Sequence, residues 1–112
     1  MGLYYLSSRD AGTTWRAPRR MGSADARRSD LAAAPDGTLA AVWDDSGDNI
    51  VRAAISRDGG DSWSEPRQMS VRGDRALYPR VLAMDGSFQV FWTQASAGSA
   101  AYEWKAASLP VR

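Results

Sequence analysis

Ser8-Arg9-Asp10-Ala11-Gly12-Thr13-Thr14-Trp15 returns forty-eight residues later as Ser56-Arg57-Asp58-Gly59-Gly60-Asp61-Ser62-Trp63, with Ser, Asp, Gly and Trp in the same slots. Pro18 and Met21 are echoed by Pro66 and Met69. A period near fifty with strand-forming flanks restricts the chain to a repeat architecture. In such an architecture each unit is one supersecondary block that buries its apolar faces only against a neighbour.

The local chemistry of the octapeptide is that of a tight turn closing a hairpin. Asp10 and Asp58 can accept hydrogen bonds from backbone amides just ahead, as in an Asx-turn, while Gly12 and Gly60 supply positive φ where a Cβ would clash. Ser8 and Ser56 add a second side-chain oxygen for the same loop. Trp15 and Trp63 re-enter the next strand with a ring large enough to fold back over the turn.

A second repeat lies between the turns: Pro35-Asp36-Gly37-Thr38-Leu39-Ala40-Ala41-Val42-Trp43 recurs at an offset of forty-nine as Met84-Asp85-Gly86-Ser87-Phe88-Gln89-Val90-Phe91-Trp92. An Asp-Gly pair between apolar strand-formers is a hairpin cue, and in the favoured two-residue turn both central residues take positive φ. The expected hairpins join 30–34 to 38–43 around Asp36-Gly37 and 50–56 to 65–69 around the second octapeptide. Each unit is therefore expected to be four antiparallel strands, an all-β block of the kind that forms one propeller blade. In this register residues 1–28 are a half unit, 29–76 a complete unit and 77–112 an incomplete one. The last is expected to carry strands at 79–83, 87–93 and 102–108. Lys105-Ala106-Ala107 echoes Arg52-Ala53-Ala54, which places a third octapeptide near Ser108, with Pro110 where its Asp is due. Two units without further neighbours are expected to leave Leu39, Val42, Phe88, Val90 and Phe91 uncovered.

The S-x-D-x-G-x-x-W spacing resembles the Asp-box, or BNR repeat, of the sialidase-like β-propeller family. Through the flanking repeat the resemblance covers nearly the whole chain. It implies about two blades of a propeller that has six when complete, the others coming from a longer chain or from copies joined head to tail. In that family the box is a structural turn, so Ser8, Asp10, Gly12, Trp15, Ser56, Asp58, Gly60 and Trp63 are expected to be structural. The resemblance also implies a glycan or sialoside ligand, a secreted or periplasmic location and no cofactor. Its enzymatic form is exo-α-sialidase-type hydrolysis. That chemistry needs an arginine cluster on the sialic-acid carboxylate, a Tyr–Glu nucleophile pair and an Asp acid/base. No such set matches here residue by residue, so the catalytic residues stay unassigned. The alternatives are a non-catalytic carbohydrate- or protein-binding scaffold, or a segment with no activity by itself.

Composition narrows the chemistry further. Fourteen basic and thirteen acidic residues leave a net charge of +1, which is no electrostatic footprint for nucleic acid. Arg16, Arg19, Arg20, Arg27 and Arg28 form a local basic run diluted by Asp25 and Asp30, read as a solvated loop. Neither cysteine nor histidine is present, which removes disulfides, thiolate catalysis, His-based triads and most zinc chemistry. No apolar stretch reaches the length of a membrane span, and no membrane partner is expected.

Antiparallel geometry sends the Asp-Gly turns and the octapeptides to one end and the remaining loops to the other. The second end, where sialidase-like propellers carry their active site, gathers Arg27, Arg28, Asp30, Arg75, Tyr78, Arg80, Trp43, Asp44, Asp45, Asp48, Trp92 and Gln94. The substrate-binding candidates are Arg80, Tyr78, Asp30, Trp43, Trp92 and Asp44. Arg80 offers a planar fork for a carboxylate, and the repeat register aligns it with Leu31. Trp43 and Trp92, at equal repeat positions, suit either stacking on a sugar or packing between units. The acids of Asp44-Asp45-Ser46-Gly47-Asp48-Asn49 lack EF-hand spacing, so no metal site is expected there.

Overall fold

The computed structural model describes residues 2–96 and 98–111, which form nine strands and no helix. Strands β1 (Leu3–Tyr5) and β2 (Arg19–Met21) pair as a two-stranded sheet. Strands β3 (Ala26–Ala33), β4 (Leu39–Asp45), β5 (Ile50–Ser56) and β6 (Arg67–Gln68) form a four-stranded sheet in sequential order. Strands β7 (Arg75–Met84), β8 (Ser87–Ala95) and β9 (Glu103–Pro110) form a third sheet, also in sequential order. All pairings are antiparallel, so the chain is all-β. The strand after the second octapeptide is shorter than its sequence suggests, at two residues.

The burial pattern follows from the order of the sheets. β4 shows no alternation because both of its faces are covered: Ala40 and Val42 point into one cluster, Ala41 and Trp43 into another. The first cluster joins the four-stranded sheet to Ala76, Val81, Phe88, Val90, Trp92 and Leu109 of the third sheet. The second joins it to Met21, Leu3 and Tyr5 of the two-stranded sheet. β8 alternates strictly from Ser87 to Gln94, since only one of its faces is packed. Val42, Phe88 and Val90 are fully buried by this stacking and Leu39 and Phe91 partly so, which corrects the expectation that all five lie uncovered. The sheets lie side by side in a slab of 48 × 34 × 21 Å. Its radius of gyration of 14.4 Å exceeds the about 13 Å of a ~100-residue globule.

The two octapeptides fold into the same hydrogen-bond network. Ser8 Oγ donates to Asp10 Oδ1 at 2.8 Å and accepts from the Gly12 amide at 2.9 Å, while the Thr14 amide reaches Asp10 Oδ1 at 2.8 Å. Ser56, Asp58, Gly60 and Ser62 repeat these contacts at 2.8, 2.8 and 2.8 Å. Hydroxyl donation from Thr14 and Ser62, followed by their amides and by Ser8 and Ser56, holds the two Asp carboxyls down at about 2. Gly12 and Gly60 take φ of +89° and +95°. Asp61 of the second turn pairs with Arg9 and Arg16 of the first, so the two turns meet at one end of the slab.

Four sequence expectations differ from the structure. Only the glycine of each Asp-Gly pair takes positive φ; the Asp36 loop spans three residues between Ala34 and Thr38, with its glycine in the left-handed region. The Asp85 loop spans two, between Met84 and Ser87. That one-residue difference moves β3 and β7 out of the forty-nine-residue register. Asp30 faces Val42 and Arg80 faces Phe91, so the counterpart of Arg80 is Asp30 and not Leu31. In β9, Leu109 faces Phe88 as Ser56 faces Leu39, so Leu109 fills the serine slot of the third octapeptide and Val111, not Pro110, its aspartate slot. Finally, Arg19 and Arg20 lie on β2 and Arg27 and Arg28 on β3, so the basic run is mostly strand and not one solvated loop.

Candidate functional site

At the end away from the octapeptides, β3 and β7 each break register in the same way. Arg28 and Ser29 together oppose Trp43, and Tyr78 and Pro79 together oppose Trp92. The first bulged residue of each pair is left-handed, Arg28 at φ +38° and Tyr78 at φ +59°, although neither is glycine. Backbone of this kind persists only where surrounding contacts hold it.

Asp44 supplies those contacts. Its side chain is wholly buried, and Oδ2 accepts from Arg28 Nε at 3.0 Å and from the Tyr78 amide at 2.9 Å. One carboxylate oxygen thus ties the bulge of its own sheet to that of the next. Asp30 makes a parallel link, with Oδ2 accepting from the Val81 amide at 3.1 Å. The Arg28 guanidinium lies over the Tyr78 ring, 4.8 Å from its centroid, and the Asp44 hydrogen bond raises the Arg28 pKa further. Tyr78 remains about half exposed at 52%, and Arg80 is exposed, donating from Nη1 to the Pro79 carbonyl at 2.9 Å.

The six sequence candidates separate into three groups. Tyr78 and Arg80 are both exposed on β7, and the Arg28 guanidinium covers the Tyr78 ring. Asp30 and Asp44 have their carboxylates engaged in binding β7. Trp43 and Trp92 are buried in successive inter-sheet clusters, the packing arrangement of the two considered, and neither indole face is open to a sugar.

Nothing in the sequence sets Arg28 apart from the other residues gathered at this end, since nothing marks a bulge whose left-handed residue is not glycine.

The acidic loop after β4 is internally neutralised in part. Arg52 pairs with both Asp45 and Asp48, and its hydrogen bond lowers the Asp48 pKa. With Ser23 and Asp25 these residues line a cleft of about 720 Å³. Among the described residues no group of three or more acids is placed to hold a metal.

No protein-family model matches this chain, and no curated protein is significantly similar to it.

Proposed function

We propose that the chain is a segment of a sialidase-like propeller whose bulge-bearing end binds an anionic glycan. The observation that carries this reading is the pair of matched bulges, which set the Arg28 guanidinium over the exposed Tyr78 ring with the Tyr78 amide held by Asp44, while the exposed Arg80 follows two residues on. A guanidinium beside a phenol ring, with a second exposed guanidinium two residues along β7, suits a sugar bearing a carboxylate: the forks address the anion and the ring takes an apolar sugar face. The duplicated octapeptide turns and sequential antiparallel sheets support the propeller part of the reading. The remaining blades come either from a longer chain or from further copies.

Binding without turnover is favoured by the positions of the two glutamates. Glu103 pairs with Lys105 on β9, two strands away from Tyr78, and Glu65 follows the second octapeptide. Neither forms the Tyr–Glu pair of a sialidase.

Titration of the ¹⁵N-labelled chain with 3′-sialyllactose and with lactose tests the proposal. The expected result is saturable shifts at Arg28, Tyr78 and Arg80 with the sialylated sugar alone, weakened at least severalfold by Arg80→Ala, and no release of free sialic acid. Equal response to both sugars, or to neither, rejects it.

A further inference from the structure

β9 is the outermost strand of the third sheet, and among the described residues no strand pairs with its outer edge. The four-stranded sheet shows how the same edge looks when it is closed. There β6 and the residues flanking it cover the outer edge of β5. The Val51 and Ile55 carbonyls accept from the Met69 and Ser64 amides, both at 2.8 Å. The Val51 and Ile55 amides donate to the Ser70 and Ser64 hydroxyls, both at 2.9 Å.

The register carries this geometry over to β9. Val51 faces Asp44 and Ile55 faces Ala40, as Trp104 faces Thr93 and Ser108 faces Gln89. In a strand of L-residues the face a side chain takes fixes the edge its N–H and C=O take. Trp104, Ala106 and Ser108 therefore present their backbone groups along the outer edge of β9, and all three residues are exposed. Such an edge is a template for another strand unless charges, lysine above all, or proline blunt it.

Only the first half of this edge is open. Over the second half, Arg57 donates to the Val111 carbonyl and Arg67 Nη1 to the Pro110 carbonyl at 3.3 Å, and Pro110 itself ends the strand. The open half carries Glu103, Trp104 and Lys105, a pattern that is complementary to itself. When two such edges pair antiparallel about Trp104, each Glu103 stands opposite the Lys105 of the other copy, so the lysine no longer blunts the edge. The two Trp104 rings, each 70% exposed in the single chain, become cross-strand neighbours on one face. Other registers are poorer. Centring on Lys105 sets lysine opposite lysine, and centring on Ala106 draws in the covered half and sets Glu103 and Lys105 opposite Leu109 and Ala107. We infer that β9 is a self-association strand, pairing edge to edge with β9 of a second copy about a two-fold axis at Trp104. This pairing does not depend on the glycan reading.

Sedimentation velocity from micromolar to millimolar protein reads the mass, and amide hydrogen exchange at the two ends of that range reads the seam. The expected result is a dimer that forms reversibly as concentration rises. Exchange at the Trp104 and Ala106 amides should slow severalfold as it forms, while the Ser108 amide stays unchanged. Lys105→Glu sets like charges opposite each other at both ends of the seam and should weaken the dimer severalfold. Adding Glu103→Lys restores opposite charges and should recover it. Both positions are exposed, and far-UV circular dichroism checks that the variants keep the fold. A chain that stays monomeric, or one that grows past the dimer, overturns the inference. So does a dimer that Lys105→Glu leaves unmoved, or one that protects Ser108 as much as Trp104, because its seam would then lie elsewhere or in another register.

Discussion

Trp43→Ala is expected to cost about 3–5 kcal/mol, the range for deleting a large aromatic from a core. The indole is wholly buried and fills the space between the two-stranded and four-stranded sheets, against Met21, Ala26, Ala41 and Ala54, with Leu3, Tyr5 and Trp63 around it. It also lies opposite the Arg28-Ser29 bulge in the β3–β4 pairing. Measured against the ~5–15 kcal/mol total of an ordinary domain, the loss removes a large share of the stability. Urea unfolding followed by far-UV circular dichroism reads it as a lower midpoint at an unchanged slope. Trp15 is 61% exposed, and Trp15→Ala should stay within about 0.5 kcal/mol of the parent. Equal effects of the two substitutions would mean that the inner face of the four-stranded sheet is not covered.

Gly60→Ala is the second large effect, and Gly37→Ala separates its two causes. Both glycines are left-handed, at φ +95° and +91°, so both substitutions carry a backbone cost of about 1–2 kcal/mol. A Cβ at Gly37 meets nothing within 4 Å, and the backbone cost is all it pays. A Cβ at Gly60 would lie only 2.5 Å from the Tyr5 hydroxyl and closer still to its ring. That ring cannot move freely: it stands edge-on to Trp63 with centroids 5.3 Å apart, and its hydroxyl donates to the Gly59 carbonyl at 3.3 Å. Overpacking therefore adds about 1–3 kcal/mol at Gly60 alone. Adding Tyr5→Ala should make Gly60→Ala less costly, a coupling that a double-mutant cycle measures directly. Equal costs at Gly37 and Gly60, with no coupling to Tyr5, would remove Tyr5 from the seam between the sheets.

The octapeptide turns were legible in the sequence because everything that shapes them lies within eight residues. Ser, Asp and Gly in fixed slots determine the bonds, and both copies make them alike. The four-strand unit was legible for a related reason, since the Asp-Gly loops mark where β3 turns into β4 and β7 into β8. Loop length was not legible, because the counts of residues excluded from pairing at Asp36 and Asp85 depend on how the strands twist. That single residue misaligned Arg80 with Leu31 and hid its equivalence to Asp30.

The bulges were hidden for a different reason. A left-handed position normally announces itself through glycine, whereas Arg28 and Tyr78 are held there by Asp44, sixteen and thirty-four residues away. Topology assigns the candidate residues to the end away from the octapeptides, but does not sort them into exposed groups and buried braces. Asp44 looks like part of an acidic loop until the burial of its side chain and the approach of β7 are known.

Amide hydrogen exchange at Tyr78 and Val81 tests the assembly of the bulge-bearing end most directly. These two N–H groups bond to carboxylates of the neighbouring sheet, Asp44 and Asp30, and have that protection only if β7 lies beside β3. Exchange slowed by orders of magnitude is expected at both positions, with Asp44→Asn speeding Tyr78 more than Val81. Exchange at the rate of an unstructured chain at both, while β8 stays protected, would contradict it, because the third sheet would then be folded but not docked.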